Sequence, residues 1–313
     1  MLRTPGLPTL GGLQLWADVA WRCGWRVQEL PGGGRGRLLD PSGRARAFGP
    51  PRELLAELDR RVPRAAARGS RPLVVFLHGM GRTRVSFAGL ARALTDDGFA
   101  CARLTYPSTR RSVAEHADWL EGLMERFADE GVAPRVHFVT HSLGAVVLRA
   151  SLGRGAAWRE RLPVGRAVLL GPPNQGSRLA ERLHRLAPYR WLYGATGQDL
   201  VPERVRPLPA LDLPTRVVAG ARGDGRGWNP FLPGDDDGIV ALDETPLDGA
   251  EHHVVRGLHA FLASVAPAVA LTRDFLASER PHRVRPVLRA ASAARTAPLP
   301  RSGSATPGPR PRP

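Results

Sequence analysis

The chain has 313 residues, of which 42% are hydrophobic, and a chain of this length can bury one large core. No apolar stretch approaches the roughly 20 residues of a membrane span, and the N-terminus lacks the features of a secretory signal, so we expect a cytoplasmic protein. Of the net charge of +16, only +3 falls on residues 71–276, so the basic excess lies at the two ends and argues against a nucleic-acid-binding face.

Residues 1–70 are predicted to form a leader that packs on the main domain. Within it, Trp16, Val19, Ala20 and Cys23 recur at helical spacing, which predicts a short helix. The stretch GRLLDPSGRARAFG predicts two short strands around an Asp-Pro-Ser-Gly turn. The tryptophans leave one alternative open, a peripheral contact with a membrane surface through an interfacial helix.

Residues 71–276 alternate short apolar runs with helical stretches. The apolar runs are LVVFLHG, ACARLTYP, RVHFVTHS, GRAVLLGPP, TRVVAGA and HHVVRG. The helical stretches cover Ser86–Asp97, Val113–Asp129, a segment from Leu143, and Ala260–Leu276. Continuous apolar runs between helices are typical of strands buried on both faces of a parallel sheet. We therefore predict the fold class α/β, a mostly parallel sheet with helices on both faces.

A serine stands where one predicted strand gives way to a helix. Ser142 follows VHFVT and precedes LGAVVLRASL, at the carboxyl edge of the sheet, where such folds bind ligands. A sharp strand-to-helix turn leaves little room two residues before and two residues after the serine. Gly144 meets this requirement, whereas Thr140 replaces the first glycine of the GxSxG pattern. Ser142 is therefore a candidate nucleophile, and a buried or capping serine is the alternative.

Three other loops at the same edge carry groups that could activate a serine. His-Gly-Met-Gly, after the first long strand, offers backbone N–H groups to an oxyanion. Asp237, in the loop after TRVVAGA, is the candidate orienting acid, and Asp224 is its competitor. Asp235 and Asp236 are interpreted as solvated loop residues. His259, after the last strand, is the candidate base because its ring can reach over the sheet edge.

Taken together, these motifs make a family resemblance specific. HGMG, THSLGA, GPPNQGS, DDGIV and GLHAFL, with the chain order Ser, Asp, His, resemble a bacterial lipase/esterase-type α/β-hydrolase. The resemblance covers residues 72–276, about two thirds of the chain, and implies the α/β-hydrolase fold for residues 71–276.

The resemblance also assigns roles to individual residues. It implies Ser142 as nucleophile, Asp237 as acid and His259 as base. It implies the backbone N–H groups of Met80 and Leu143 as the oxyanion hole. In such a site the histidine accepts the serine proton, the aspartate holds the imidazole, and the two N–H groups bind the oxyanion.

The implied function is hydrolysis of a small-molecule or lipid-like carboxylic ester through an acyl-enzyme. A thioesterase, an amidase or an acyltransferase would use the same residues, and a non-catalytic binding module of the same fold is the alternative from another class. We expect no cofactor and no metal, because Cys23 and Cys101 stand alone and no cluster has ligand spacing.

Two further segments have predicted roles. Residues 179–213 are longer than an ordinary connection and contain Tyr189, Trp191 and Tyr193, which predicts a lid or pocket wall. Residues 277–313 are rich in Arg, Pro and Ala without an apolar period, which predicts a disordered tail.

Overall fold

The structure, a computed structural model, describes residues 13–30, 32–155 and 157–278. The start of the leader before Leu13 and the expected tail beyond Ser278 lie outside the described residues. None of the helices in the described ranges is both long enough and apolar enough to cross a membrane.

The leader forms a four-stranded antiparallel sheet whose strands pair in chain order. Its elements are β1 (Ala17–Arg22), β2 (Trp25–Glu29), β3 (Gly36–Leu39), β4 (Ala45–Gly49), α1 (Pro51–Arg61) and α2 (Arg64–Ala67). Strands β3 and β4 confirm the two strands predicted around the Asp-Pro-Ser-Gly turn.

The helix predicted near the start of the leader is wrong, because that segment is strand β1. Cys23 and Gly24 have φ values of 48° and 86°, the two positive values that a tight hairpin turn requires, and they join β1 to β2. Ala20 packs against α1 in a small core of the leader, while the next residue, Trp21, packs into the core of the main sheet. Burial on both faces of one strand thus imitates helical spacing. Cys23 is exposed at this turn.

The main sheet has six parallel strands. They are β5 (Leu73–Leu77), β6 (Ala100–Arg103), β7 (Val136–His141), β8 (Val164–Leu170), β9 (Thr215–Ala221) and β10 (Glu251–Arg256). Their spatial order is β10-β9-β8-β7-β5-β6, and every neighbouring pair is parallel. The central strands β5 and β7 are buried along their whole length, which explains their continuous apolar runs.

Helices cover both faces of this sheet. They are α3 (Ala88–Asp96), α4 (Val113–Glu130), α5 (Leu143–Leu152), α6 (Arg178–Leu183), α7 (Ala187–Asp199), α8 (Pro202–Val205) and α9 (Ala266–Ala277). Helices α4 and α5 pack on one face, and α3 and α9 pack on the other. The predicted fold class is therefore confirmed. The single final helix expected over Ala260–Leu276 is two pieces, a 3₁₀ turn over His259–Ser264 and α9, because Pro267 begins a new helix.

The leader docks on the main domain through buried polar contacts with the residues after β6 and with α4. Asp18 exchanges hydrogen bonds of 2.8 Å with the Thr105 backbone, its N–H to the Thr105 C=O and its Oδ2 from the Thr105 N–H. The indole of Trp119 on α4 donates to the Asp18 C=O at 2.7 Å. Arg22 pairs with the buried Glu130 at 2.7 Å. The leader is thus fixed beside the carboxyl edge of the main sheet.

Candidate active site

Ser142 occupies the turn between β7 and α5. Its φ of 53° and ψ of −120° are strained for a residue that carries a Cβ. Its N–H donates to the Leu170 C=O on β8 at 2.9 Å, and α5 begins at the next residue, Leu143. Its side chain is largely buried. This turn places Ser142 at the carboxyl edge of the sheet, as the sequence predicts.

The two residues that flank the serine turn behave differently. A Cβ added to Gly144 would lie 2.3 Å from the Leu77 carbonyl oxygen on β5, so only glycine fits. Thr140 is fully buried between Leu77 and Leu169, the residues paired with it on the adjacent strands. Its hydroxyl has no hydrogen-bond partner within the described residues. The turn therefore requires glycine after the serine and accommodates threonine before it.

Asp237 and His259 lie in contact at the same edge. His259 Nδ1 is 2.6 Å from Asp237 Oδ2, and both residues are buried. The other carboxylate oxygen, Oδ1, accepts the N–H groups of Ile239 and Val240 at 3.0 and 2.8 Å. Because Nδ1 faces the carboxylate, Nε2 is the ring nitrogen left to face a reacting group.

The competing acid, Asp224, lies elsewhere. Its side chain accepts the N–H groups of Arg226 and Gly227 and pairs with Arg222 at 3.0 Å, at an exposed turn. The structure therefore brings Asp237, and not Asp224, to His259.

The other two acids of this loop organise its backbone. Asp235 accepts several backbone N–H groups; burial acts to raise its pKa, and these bonds more than offset that and lower it. Asp236 was expected to be solvated, but it is fully buried and accepts the N–H groups of Trp228 and Gly238 at 3.1 and 2.6 Å. In the described ranges no group of three or more His, Cys, Asp or Glu side chains is placed to hold a metal ion.

The glycine turn, defined here as residues 78–82, lies against the serine. A Cβ added to Gly79 would come within 3.1 Å of Ser142 Cβ, a closer approach than side chains ordinarily make. The N–H of Met80 follows directly in the turn, and the N–H of Leu143 is the first of α5, so it has no acceptor within its own helix. In the described part of the chain, neither N–H donates a hydrogen bond. Two such donors beside a serine suit an oxyanion.

The His141 side chain connects the turn that carries Ser142 to the segment after β10 that carries His259. Its Nε2 lies 2.9 Å from the His259 carbonyl oxygen, and the two rings pack with centroids 4.6 Å apart. Because a carbonyl oxygen only accepts, Nε2 carries the proton. Burial lowers the pKa of His141 well below its ordinary value, so the ring is neutral. No local pattern in the sequence predicts this side-chain contact, because it depends on where the chain after β10 lies.

Comparisons with solved structures identify the fold. No family model matches the sequence, and no curated protein matches it. The lipase BlEst2 of Bacillus licheniformis, in its mature form, superposes with a TM-score of 0.52 at 18% identity, covering 65% of this chain and 92% of the lipase. The chain has the α/β-hydrolase fold.

Two further structures share this hydrolase fold. A gene product of Listeria innocua has a TM-score of 0.51 at 15% identity and covers 69% of this chain and 97% of its own. Lipase B of Aspergillus fumigatus has a TM-score of 0.50 at 13% identity, covering 68% of this chain and 54% of the lipase. At these identities the likeness concerns the fold alone.

Between β8 and β9 of the hydrolase fold lies the segment predicted as a lid or pocket wall. It contains α6, α7 and α8. Helix α7 is kinked at Gly194, where φ is 53° and an added Cβ would lie 2.1 Å from the Thr109 carbonyl oxygen. Leu186 and Trp191 are 52% and 58% exposed. The segment thus follows a carboxyl end of the sheet and presents apolar side chains to solvent.

Proposed function

We propose that this chain is a serine hydrolase that cleaves carboxylic esters through an acyl-enzyme. One observation carries the proposal: Ser142 sits on a strained strand-to-helix turn, and the buried Asp237–His259 pair follows other strands at the same edge. Strain of this kind persists where the surrounding structure maintains it, and it concentrates at active sites.

The chemistry follows from the groups present. Ser142 Oγ attacks the ester carbonyl carbon while its proton passes to His259 Nε2, and Asp237 stabilises the imidazolium. The N–H groups of Met80 and Leu143 bind the oxyanion, each contributing about 3 kcal/mol. The alcohol leaves with the proton from His259, and water, activated by the same imidazole, hydrolyses the acyl-enzyme.

Exposed apolar side chains favour a lipid-like ester as substrate. Ten large apolar side chains of the described residues are exposed, and eight of them lie in segments that follow the carboxyl ends of the parallel strands. These eight are Val85, Leu186, Trp191, Leu192, Phe231, Ile239, Leu258 and Phe261. A concentration of apolar surface at one edge marks an interaction site. We infer that this apolar surface receives an acyl chain or a lipid surface. A cytoplasmic location stays a prediction from the sequence.

A fluorophosphonate probe tests the proposal. The wild-type protein should be labelled covalently and should hydrolyse p-nitrophenyl butyrate, and Ser142→Ala should lose both properties while keeping its melting temperature. Ser151→Ala is the matched control, because this buried α5 hydroxyl has no hydrogen-bond partner in the described structure and its removal should change neither property.

Three results would change the assignment. A wild-type protein that is neither labelled nor active would favour the non-catalytic binding module. Faster turnover of butyryl-CoA or of a butyryl anilide than of the ester would move the assignment to a thioesterase or an amidase with the same residues. Transfer of the acyl group to an added alcohol in place of water would indicate an acyltransferase.

A further inference from the structure

The glycine turn is hydrogen-bonded to the loop that follows β6. The Tyr106 hydroxyl donates to the His78 C=O. Further along the turn, the Ser108 hydroxyl accepts the Gly81 N–H at 3.1 Å. Tyr106 and Ser108 are fully buried. The residues on either side of Met80 are therefore tied to a neighbouring loop.

A residue of the leader completes this arrangement. Gln14 lies just before β1, in a 3₁₀ turn, and its side chain reaches the glycine turn. Its Nε2 donates to the Arg82 C=O, and its Oε1 accepts from the Ser108 hydroxyl at 3.0 Å. The Arg82 carbonyl can only accept, which fixes the orientation of the carboxamide. The Ser108 hydroxyl therefore donates its hydrogen bond to Gln14 Oε1. Its oxygen then accepts the hydrogen bond from the Gly81 N–H.

The hydrogen bonds of Gln14 to Ser108 and Arg82 are buried, so breaking them costs free energy. Gln14 is 2% exposed, and Ser108 is fully buried. Opening the contact without water would leave buried donors and acceptors unpaired. The Arg82 guanidinium in turn donates to the C=O of Ala260, the neighbour of His259, at 2.7 Å. Arg82 is thus held by Gln14 through its backbone and connected to the histidine segment through its side chain.

We propose that Gln14 is a positioning residue of the active site, which holds Ser108 and Arg82 so that the Met80 N–H stays directed at the developing oxyanion. This inference rests on the proposed function. An oxyanion donor stabilises the transition state only when it is oriented in advance. Loosening the turn therefore lowers kcat and leaves substrate binding, and hence KM, nearly unchanged.

The test compares two buried glutamines of the leader in the full-length chain. Gln14→Ala removes the bonds to Ser108 and Arg82. Gln28→Ala is the matched control: Gln28 is fully buried and bonds to Asp18 at 2.7 Å and to Arg37 at 2.8 Å, both within the leader. For each variant, kcat and KM on p-nitrophenyl butyrate, the rate of fluorophosphonate labelling and the melting temperature are measured.

We expect Gln14→Ala to lower kcat and the labelling rate about tenfold, less than the loss of a whole oxyanion donor, with KM changed less than twofold. Gln28→Ala should lose thermal stability and keep kcat. Ser108→Ala, which cuts the same connection from within the main domain, should reproduce the loss of kcat, and the double variant Gln14→Ala/Ser108→Ala should lose little more than either single variant.

Several outcomes would overturn the inference. A folded Gln14→Ala variant with kcat within twofold of wild type would do so, as would equal losses of kcat in Gln14→Ala and Gln28→Ala, which would show a general effect of leader stability. If Gln14→Ala does not fold, an unchanged kcat in Ser108→Ala decides against it. A wild-type protein without hydrolase activity would instead remove the proposed function, and the inference with it.

Discussion

Asp237 contacts His259 at two points. The carboxylate Oδ2 lies 2.6 Å from His259 Nδ1, and the Asp237 C=O accepts the His259 N–H at 2.8 Å. The first contact fixes the ring, and the second fixes the backbone that carries it. The loop that carries Asp237 and the segment after β10 are thereby held together by two hydrogen bonds. The direction of the His259 ring therefore does not depend on a flexible connection.

This double contact makes Asp237→Asn informative. An asparagine can keep the backbone bond, but it presents either an N–H group or a neutral oxygen to Nδ1 and no longer stabilises an imidazolium. We expect kcat to fall by about 10³- to 10⁴-fold with KM and melting temperature near those of wild type. Asp224→Asn is the control, and its kcat should stay within about twofold, because its bonds remain at an exposed turn. The reverse pattern would move the acid to Asp224.

The main sheet was predictable from the sequence, because strands buried on both faces read as continuous apolar runs. LVVFL and VHFVTH are such runs, and both form strands buried along their length. Ser142 and His259 could be placed at one edge because the carboxyl ends of parallel strands meet there. These inferences need only local patterns and the topology of the fold class.

Other features depend on contacts that no local pattern encodes. The path of the loop that carries Asp237 depends on the burial of Asp236. Three consecutive aspartates are equally typical of a solvated loop, so the sequence does not predict that burial. The sequence predicts a helix at the start of the leader, where the structure has a strand, because a strand buried on both faces contains apolar residues at helical spacing. The contact of Gln14 with Ser108 joins residues far apart in sequence, and a lone glutamine carries no signal of its partner.

The serine turn predicts a sharp contrast between two glycines. In Gly144→Ala the new methyl group would lie 2.3 Å from the Leu77 carbonyl oxygen, so the free energy of unfolding should fall by about 3 kcal/mol, and hydrolysis should be lost with the turn geometry. Gly122, exposed in α4 with no atom near an added Cβ, provides the control. Gly122→Ala should raise the free energy of unfolding by about 1 kcal/mol. Urea titration measures both, and equal values would contradict the close packing of Gly144 on β5.

The exposed apolar side chains in the segments that follow the carboxyl ends of the strands predict that hydrolysis depends on whether the ester is emulsified or dissolved. Trp191 is 58% exposed in α7, and Trp191→Ser should weaken binding to an emulsified long-chain ester about thirtyfold, since burying such a side chain contributes about 2 kcal/mol. Hydrolysis of a short soluble ester should be unchanged. Phe48→Ser is the control, because Phe48 is 73% exposed on β4 of the leader. If Phe48→Ser reduces long-chain activity as much as Trp191→Ser, the acyl surface is not at the proposed edge.

Four buried histidines predict a loss of stability in mild acid. Burial lowers the pKa of His78 and of His137 to about 4 and the pKa of His116 to about 3, and it lowers the pKa of His141 well below its ordinary value. In the unfolded chain a histidine has a pKa of about 6.5. Between these values the unfolded state binds more protons than the folded state, so the free energy of unfolding falls as the pH falls.

The size of this effect can be measured between pH 7.5 and pH 5.5, where most carboxyl groups stay ionised. Burial raises the pKa of Glu244, so protonation of Glu244 raises the free energy of unfolding as the pH falls and opposes the histidines. Each histidine contributes up to about 1.4 kcal/mol per pH unit below pH 6.5, so the four together approach about 5 kcal/mol per unit. His137→Asn should remove about a quarter of the slope, because an asparagine oxygen can replace His137 Nδ1 as acceptor of the Arg166 N–H, now at 3.1 Å, without taking up a proton. Urea unfolding of both proteins at each pH checks this, and an unchanged slope in His137→Asn would show that His137 takes up a proton in the folded chain as readily as in the unfolded chain.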